Sequence, residues 1–190
     1  MSRRLLLRRQ LYSAWKETIE SHYQAQEINS ERGLQVFFCS ALLSSFEGAG
    51  LRRRLFVEPR LISGRDGARP QPDVLICNSR NVIGVVELKY LPRSAPKIDK
   101  DLETLAWVAS HGGDLRISND RYLGSNRLEK EYSLSSDAVL CWAGVHKGLD
   151  GALSERVAEN VYPYFMELHA VTGINRDPKI VSNYRPRNDL

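Results

Sequence analysis

Pro72-Asp73-Val74-Leu75-Ile76-Cys77, followed by Val82-Ile83-Gly84-Val85-Val86-Glu87-Leu88-Lys89-Tyr90, is the stretch that decides how this chain folds. The first run is short and almost wholly apolar, and the second is rich in β-branched residues. Asn78-Ser79-Arg80-Asn81 lies between them and is made of turn-forming types. Two apolar runs joined by a few polar residues predict a β-hairpin. Side chains alternate faces along a strand, so Glu87 and Lys89, two apart, share one face. Pairing through the turn brings Asp73 close to Glu87. Charges inside so apolar a hairpin are costly unless something compensates them.

Working outward, Leu7, Leu11, Trp15, Ile19 and Tyr23 recur at helical spacing and predict a helix over 3–26. Asn29 and Ser30 are good caps for a second helix over 30–46, with Leu34, Phe37, Phe38, Ala41 and Leu42 as its apolar face and Gly48 and Gly50 at its end. Leu55-Phe56-Val57 and Leu61-Ile62 are strand-like. Beyond the hairpin, Ile98, Leu102, Leu105 and Ala109 mark a third helix, stopped by Gly112-Gly113. Residues 112–136 read as a long loop or a pair of irregular strands, and 138–145 as a buried strand. Leu153, Val157, Val161, Phe165 and Leu168 predict a helix over 151–172 that Pro163 kinks or breaks. The expected fold is α/β, with a central mixed sheet of about four strands flanked by helices and extra N- and C-terminal helices. Residues 1–183 form one domain with its core at about 30–146, and 184–190 a loose tail.

The 190 residues suffice for one domain, and 42% hydrophobic with 26% charged residues is the balance of a globular protein. No apolar run approaches the length of a membrane span, and the three leucines near Met1 are too few for a signal h-region. Cys39, Cys77 and Cys141 form no C-x-x-C pair, which argues against a zinc ribbon and fits a reducing cytosol. The four histidines lack H-E-x-x-H spacing and there is no P-loop. The formal charge of +4 suits a nucleic-acid partner without requiring one.

Two carboxylates and a lysine on one hairpin suggest phosphodiester chemistry. Hard oxygen donors select Mg²⁺, with Mn²⁺ as the substitute. Such an ion polarises a phosphoryl oxygen, and a neighbouring lysine stabilises the developing charge. Pro72-Asp73 and Glu87-Leu88-Lys89, a hairpin apart, resemble the signature of the PD-(D/E)xK nuclease superfamily, with its restriction-endonuclease-like core. The resemblance covers about residues 30–146, where the order of elements also agrees. It implies a metal-dependent nuclease, with DNA the expected substrate. By this resemblance Asp73, Glu87 and the Leu88 carbonyl bind the metal and Lys89 is catalytic. Glu31 matches the glutamate that many members carry on the first core helix, which implies that it joins the metal ligands and the catalytic set, with Gln35 one turn on. Glu58 occupies a place where some members have an acid.

Arg52, Arg53 and Arg54, with Arg65 and Arg69, either hold phosphates or form a solvated basic edge. Lys100 and Asp101 either approach the scissile phosphate or serve as a solvated helix start. Arg3, Arg4, Arg8 and Arg9 oppose the first helix's dipole, as a basic end or a phosphate contact. Two other functions stand beside the nuclease: a non-cleaving nucleic-acid-binding module, and a partner-binding assembly subunit or homodimer using the terminal helices.

Overall fold

Alternating side-chain direction along the strands sorts the apolar side chains into two cores, one on each side of a central sheet. The computed structural model describes residues 3–63, 70–112, 115–117, 132–148, 153–174 and 176–185. Its main sheet has six strands in the order β1 (Arg54–Val57), β3 (Val74–Cys77), β4 (Asn81–Leu91), β6 (Ser133–His146), β7 (Phe165–Gly173) and β8 (Arg176–Ser182). β4, β6 and β7 run parallel, while β1, β3 and β8 pair antiparallel with their neighbours. The short β2 (Leu61–Ser63) and β5 (Leu115–Ile117) make a separate antiparallel pair. Three α-helices accompany the sheet: α1 (Arg3–Glu17), α2 (Glu31–Gly48) and α3 (Asp99–Ser110).

Helices α1 and α2 cover one face. Leu7, Leu11 and Trp15 of α1 and Leu34, Phe38 and Leu42 of α2 pack there on Ile76, Val86, Cys141 and Leu168. Helix α3 covers the other face, where Leu105 and Val108 meet Leu75, Val85, Leu140 and Trp142. The three cysteines are free and buried, small apolar fillers of these cores. Among the described residues no helix is long and apolar enough to cross a membrane.

The hairpin forms in the expected register. Val74 pairs with Val86 and Leu75 with Val85. Its turn is closed by the Asn78 side chain, which accepts from the amides of Arg80 and Asn81 at 2.8 and 2.7 Å. Ser30 caps α2, its hydroxyl accepting from the Gly33 amide at 3.0 Å.

Three expectations need correction. The first helix is α-helical only to Glu17 and continues as a π turn over Thr18–Tyr23, where the buried Thr18 hydroxyl donates to the Ala14 carbonyl at 2.7 Å. The sheet has six strands rather than about four. The C-terminal helix expected over 151–172 is absent from the described residues 153–172. Short 3₁₀ turns at Leu153–Glu155 and Tyr162–Tyr164 lead instead into β7. Pro163 breaks the helical pattern as anticipated, and Phe165, Met166, Leu168 and Ala170 then lie buried in a strand. A strand buried on both faces shows no period-two alternation, so its apolar residues fall by coincidence on helical spacing. β8 finishes the sheet as an edge strand, and Pro178 and Lys179 discourage further pairing there.

Two of the N-terminal arginines, Arg4 and Arg8, are engaged by the fold, while Arg9 is exposed. Arg4 donates to the Asp137 carbonyl at 3.2 Å and lies over the Tyr164 ring, and Arg8 donates to the Phe165 carbonyl at 2.8 Å. They fasten α1 to the starts of β6 and β7, a tertiary use that outweighs the unfavourable dipole.

Candidate active site

Asp73 immediately precedes β3, and Glu87 and Lys89 project from the carboxyl half of β4. All three line one cleft of about 570 Å³, together with Glu31, Leu88, Lys100 and Asp101. The antiparallel register that pairs Val74 with Val86 sets Asp73 beside Glu87. An Asp73 oxygen accepts the Leu88 amide at 2.5 Å, and Gln35 donates to the Asp73 carbonyl at 3.1 Å. Side chain and backbone of Asp73 are thus both held, the second by the residue one turn beyond Glu31 on α2.

Glu87 is only 6% exposed, and its Oε1 is buried without a hydrogen-bond partner among the described residues. Burial, with the charges of Asp73 and Asp101 adding, pushes its carboxyl up to about 10. Burial also raises Asp73, to about 6, against the opposing pull of the Leu88 amide. Burial thus favours the protonated form of Glu87, with the Lys89 charge pulling the other way. An orphaned carboxylate oxygen beside a second carboxylate fits a hard divalent cation, which would supply the missing charge. Among the described residues no three His, Cys, Asp or Glu side chains are grouped closely enough to hold a metal by themselves. The donors available here are therefore the Asp73–Glu87 pair and the Leu88 carbonyl.

Lys89 is held by Asp101 at 3.5 Å across the cleft. The other Asp101 oxygen accepts the Trp142 indole N–H at 3.1 Å. Trp142 pairs with Glu87 in the β4–β6 register, and Lys89 pairs with Gly144. A Cβ on Gly144 would stand 2.2 Å from the Trp142 ring, so the indole lies across that glycine. Gly144→Ala should therefore displace the ring and weaken its hold on Asp101. Overpacking of this kind costs about 1–3 kcal/mol. At about 2–4 °C per kcal/mol, thermal melting should show a drop of about 2–12 °C. An unchanged melting temperature would mean the ring is not confined there.

Glu31 sits in the first turn of α2 and accepts from the Tyr90 amide at 3.2 Å. It lines the same cleft as Asp73, Glu87 and Lys89. Glu58 does not line it. Its backbone turns at φ 47°, its amide donates to the Asp73 carbonyl at 2.9 Å, and its own carbonyl accepts from Gln71. Lys100 lines the cleft and is exposed.

The arginine run lies elsewhere. Arg52 and Arg53 line a hollow with Asn78 and Ser79, at the opposite end of the β3–β4 hairpin from Asp73. Arg53 donates to Gln10 and covers the Phe46 ring, and Arg54 donates to the Tyr132 hydroxyl at 2.9 Å. Arg65 and Arg69 lie outside the described residues.

His146 and His169 are buried, 2.9 Å apart between ring nitrogens. Glu167 accepts from His169 at 3.3 Å and from the Leu153 amide at 2.8 Å, anchoring the 3₁₀ turn to β7. Sequence reading missed Trp142. The cue was present in Trp142-Ala143-Gly144, a large donor-bearing ring next to two small residues inside a buried strand.

No family model, no curated protein and no solved structure matches the chain.

Proposed function

We propose that the chain is a metal-dependent nuclease of the PD-(D/E)xK type that hydrolyses phosphodiester bonds, with DNA as its substrate. One observation carries the reading: Asp73, Glu87 and Lys89, with Glu31 beside them, converge on one cleft around a buried carboxylate oxygen that lacks a partner among the described residues. Nothing in the packing of an ordinary hairpin requires two acids there, and burying them is unfavourable. Functional sites are where such unfavourable groups collect.

Asp73, Glu87 and the Leu88 carbonyl would hold Mg²⁺ or Mn²⁺. Mg²⁺ at such a site supplies Lewis-acid polarisation of the phosphodiester and activation of a water nucleophile. The remaining work falls to the chain's own groups. Lys89, steered by Asp101, points a localised positive charge at the place where the phosphoryl oxygens gain charge in the transition state. Trp142 keeps Asp101 from turning away. Glu31 leans on the Tyr90 amide at the rim of the cleft, where a second acid can orient an incoming water. Glu87 gives up its proton on cation binding, so affinity for the ion should rise with pH.

The test is purified protein on plasmid, linear duplex, single-stranded DNA and RNA, with Mg²⁺, Mn²⁺ or EDTA, beside Asp73→Ala. Cleavage that requires the ion and disappears in the variant is the expected result. A folded protein that cuts none of these substrates, yet binds them in a salt-dependent way, would be a binding module instead. Cleavage that survives Asp73→Ala would sink the site assignment.

A further inference from the structure

The carboxyl ends of the parallel strands frame a second, larger cleft of about 910 Å³. Tyr23, Asn29, Tyr90, Arg93, Lys147 and Arg176 are among its walls. It abuts the first cleft. Asn29 and Tyr90 face the larger one, whereas Glu31 and Lys89, their close neighbours in sequence, face the smaller. The Tyr90–Glu31 contact of 3.2 Å forms the ridge between them.

Three cations, Arg93, Lys147 and Arg176, line this groove against one carboxylate, Asp177. They come from the segment after β4, the end of β6 and the start of β8, so only the folded sheet brings them together. All three are exposed, and among the described residues none makes a side-chain hydrogen bond or ion pair. Arg53 and Arg54, by contrast, donate to the Gln10 and Tyr132 side chains. Arg176 folds back over the β7–β8 turn, where a Cβ on Gly173 would come within 2.0 Å of its Nε. Its charge is thereby kept on the groove wall. Gln24 and Gln26 add amide groups from the turn after the π segment, with Gln26 at φ 62°. Unpaired cations with uncharged amide donors are the groups that grip a sugar-phosphate backbone without reading its bases.

We infer that this groove carries the backbone of the nucleic-acid strand that enters the Asp73–Glu87–Lys89 cleft. Its role in cleavage rests on the nuclease reading, while the binding it predicts does not. The strand crosses the ridge at Tyr90 and Glu31, so a continuous contact runs from Arg176 and Lys147 past Arg93 to the reacting phosphate.

The experiment is fluorescence polarisation with labelled single-stranded DNA, RNA and duplex oligonucleotides in EDTA, across a salt series. An Asp73→Ala parent is compared with the same protein carrying Arg93→Ala, Lys147→Ala and Arg176→Ala. A control carries Arg80→Ala at the far end of the hairpin. The triple should bind on the order of tenfold to a hundredfold more weakly, with its log K against log salt slope reduced by about two for a single strand. The control should stay within about twofold of the parent. Lys147→Glu alone should weaken binding similarly if the triple variant proves unstable. A triple that matches the parent in affinity and slope, or a control that loses as much, overturns the groove. Groove-dependent binding by a wild-type protein that cleaves nothing would leave the groove standing and remove the nuclease reading. Normal cleavage with binding indifferent to the triple would do the reverse.

Discussion

Lys89→Ala should leave the fold standing and slow metal-dependent cleavage by about 10²–10⁴-fold, the range for losing one charge-stabilising or proton-handling group. Lys89 is partly exposed at the cleft, and in the described residues its ammonium meets Asp101 alone. Removing it takes no apolar packing from either core. It does leave Asp101, 6% exposed, with the Trp142 indole as its described partner. A melting temperature a few degrees lower is therefore expected, since a buried acid that loses a charged partner costs about 1–3 kcal/mol. Lys89→Arg should not restore the rate, because the planar fork cannot replace a compact ammonium held at 3.5 Å by one carboxylate oxygen. Single-turnover rates with enzyme in excess separate this from substrate binding. A rate within about threefold of wild type would remove Lys89 from the chemistry.

Glu87→Gln should abolish cleavage and yet stabilise the metal-free protein at alkaline pH. The sign follows from protons. The Glu87 carboxyl rises from an ordinary 4.5 to about 10 on folding, because burial penalises its charged form. Between those values the native state binds more proton than the unfolded state, so stability falls as pH rises. The slope for one such group is at most about 1.4 kcal/mol per pH unit, or about 3–6 °C in melting temperature. Asp73, raised to about 6, adds to this only below neutrality. From pH 7 to 8 the decline belongs to Glu87, before the three buried thiols, which burial also raises, begin to add to it, and glutamine, which does not titrate, should flatten it. Mg²⁺ should raise the wild-type melting temperature more at pH 9 than at pH 6, because less proton has to be displaced. The variant should show little response to the ion. An equal slope in variant and wild type would mean that Glu87 is not the titrating group. The expected gain is a trade of stability for function at one buried carboxylate.

The hairpin, its register and the shared face of Glu87 and Lys89 follow from local pattern. Two β-branched runs, a polar turn and a two-residue spacing specify them without reference to the rest of the chain. The Ser30 cap, the apolar faces of α2 and α3 and the buried run at 138–145 follow for the same reason: each element's period is written in its own residues. Glu31, Asp73, Glu87 and Lys89 line one cleft.

Other features depended on partners far along the chain. Phe165–Gly173 is a strand because β6 and β8 offer it hydrogen bonds on both sides, and no periodicity within the segment reports that. Arg4, Arg8, Arg53 and Arg54 look alike in sequence as a basic surface, but specific carbonyls, rings and hydroxyls engage them. Trp142 reaches Asp101 over 41 residues, and only the parallel β4–β6 pairing sets Trp142 beside Glu87 and Gly144 beside Lys89. Arg93, Lys147 and Arg176 are scattered singly and become one wall when the strand ends align. Sequence alone determined the chemistry-bearing hairpin, because strand period and turn chemistry act between near neighbours. Tertiary structure decided the width of the sheet, the second support of Lys89 and the course of the basic groove, because long-range pairing and burial set which distant residues meet.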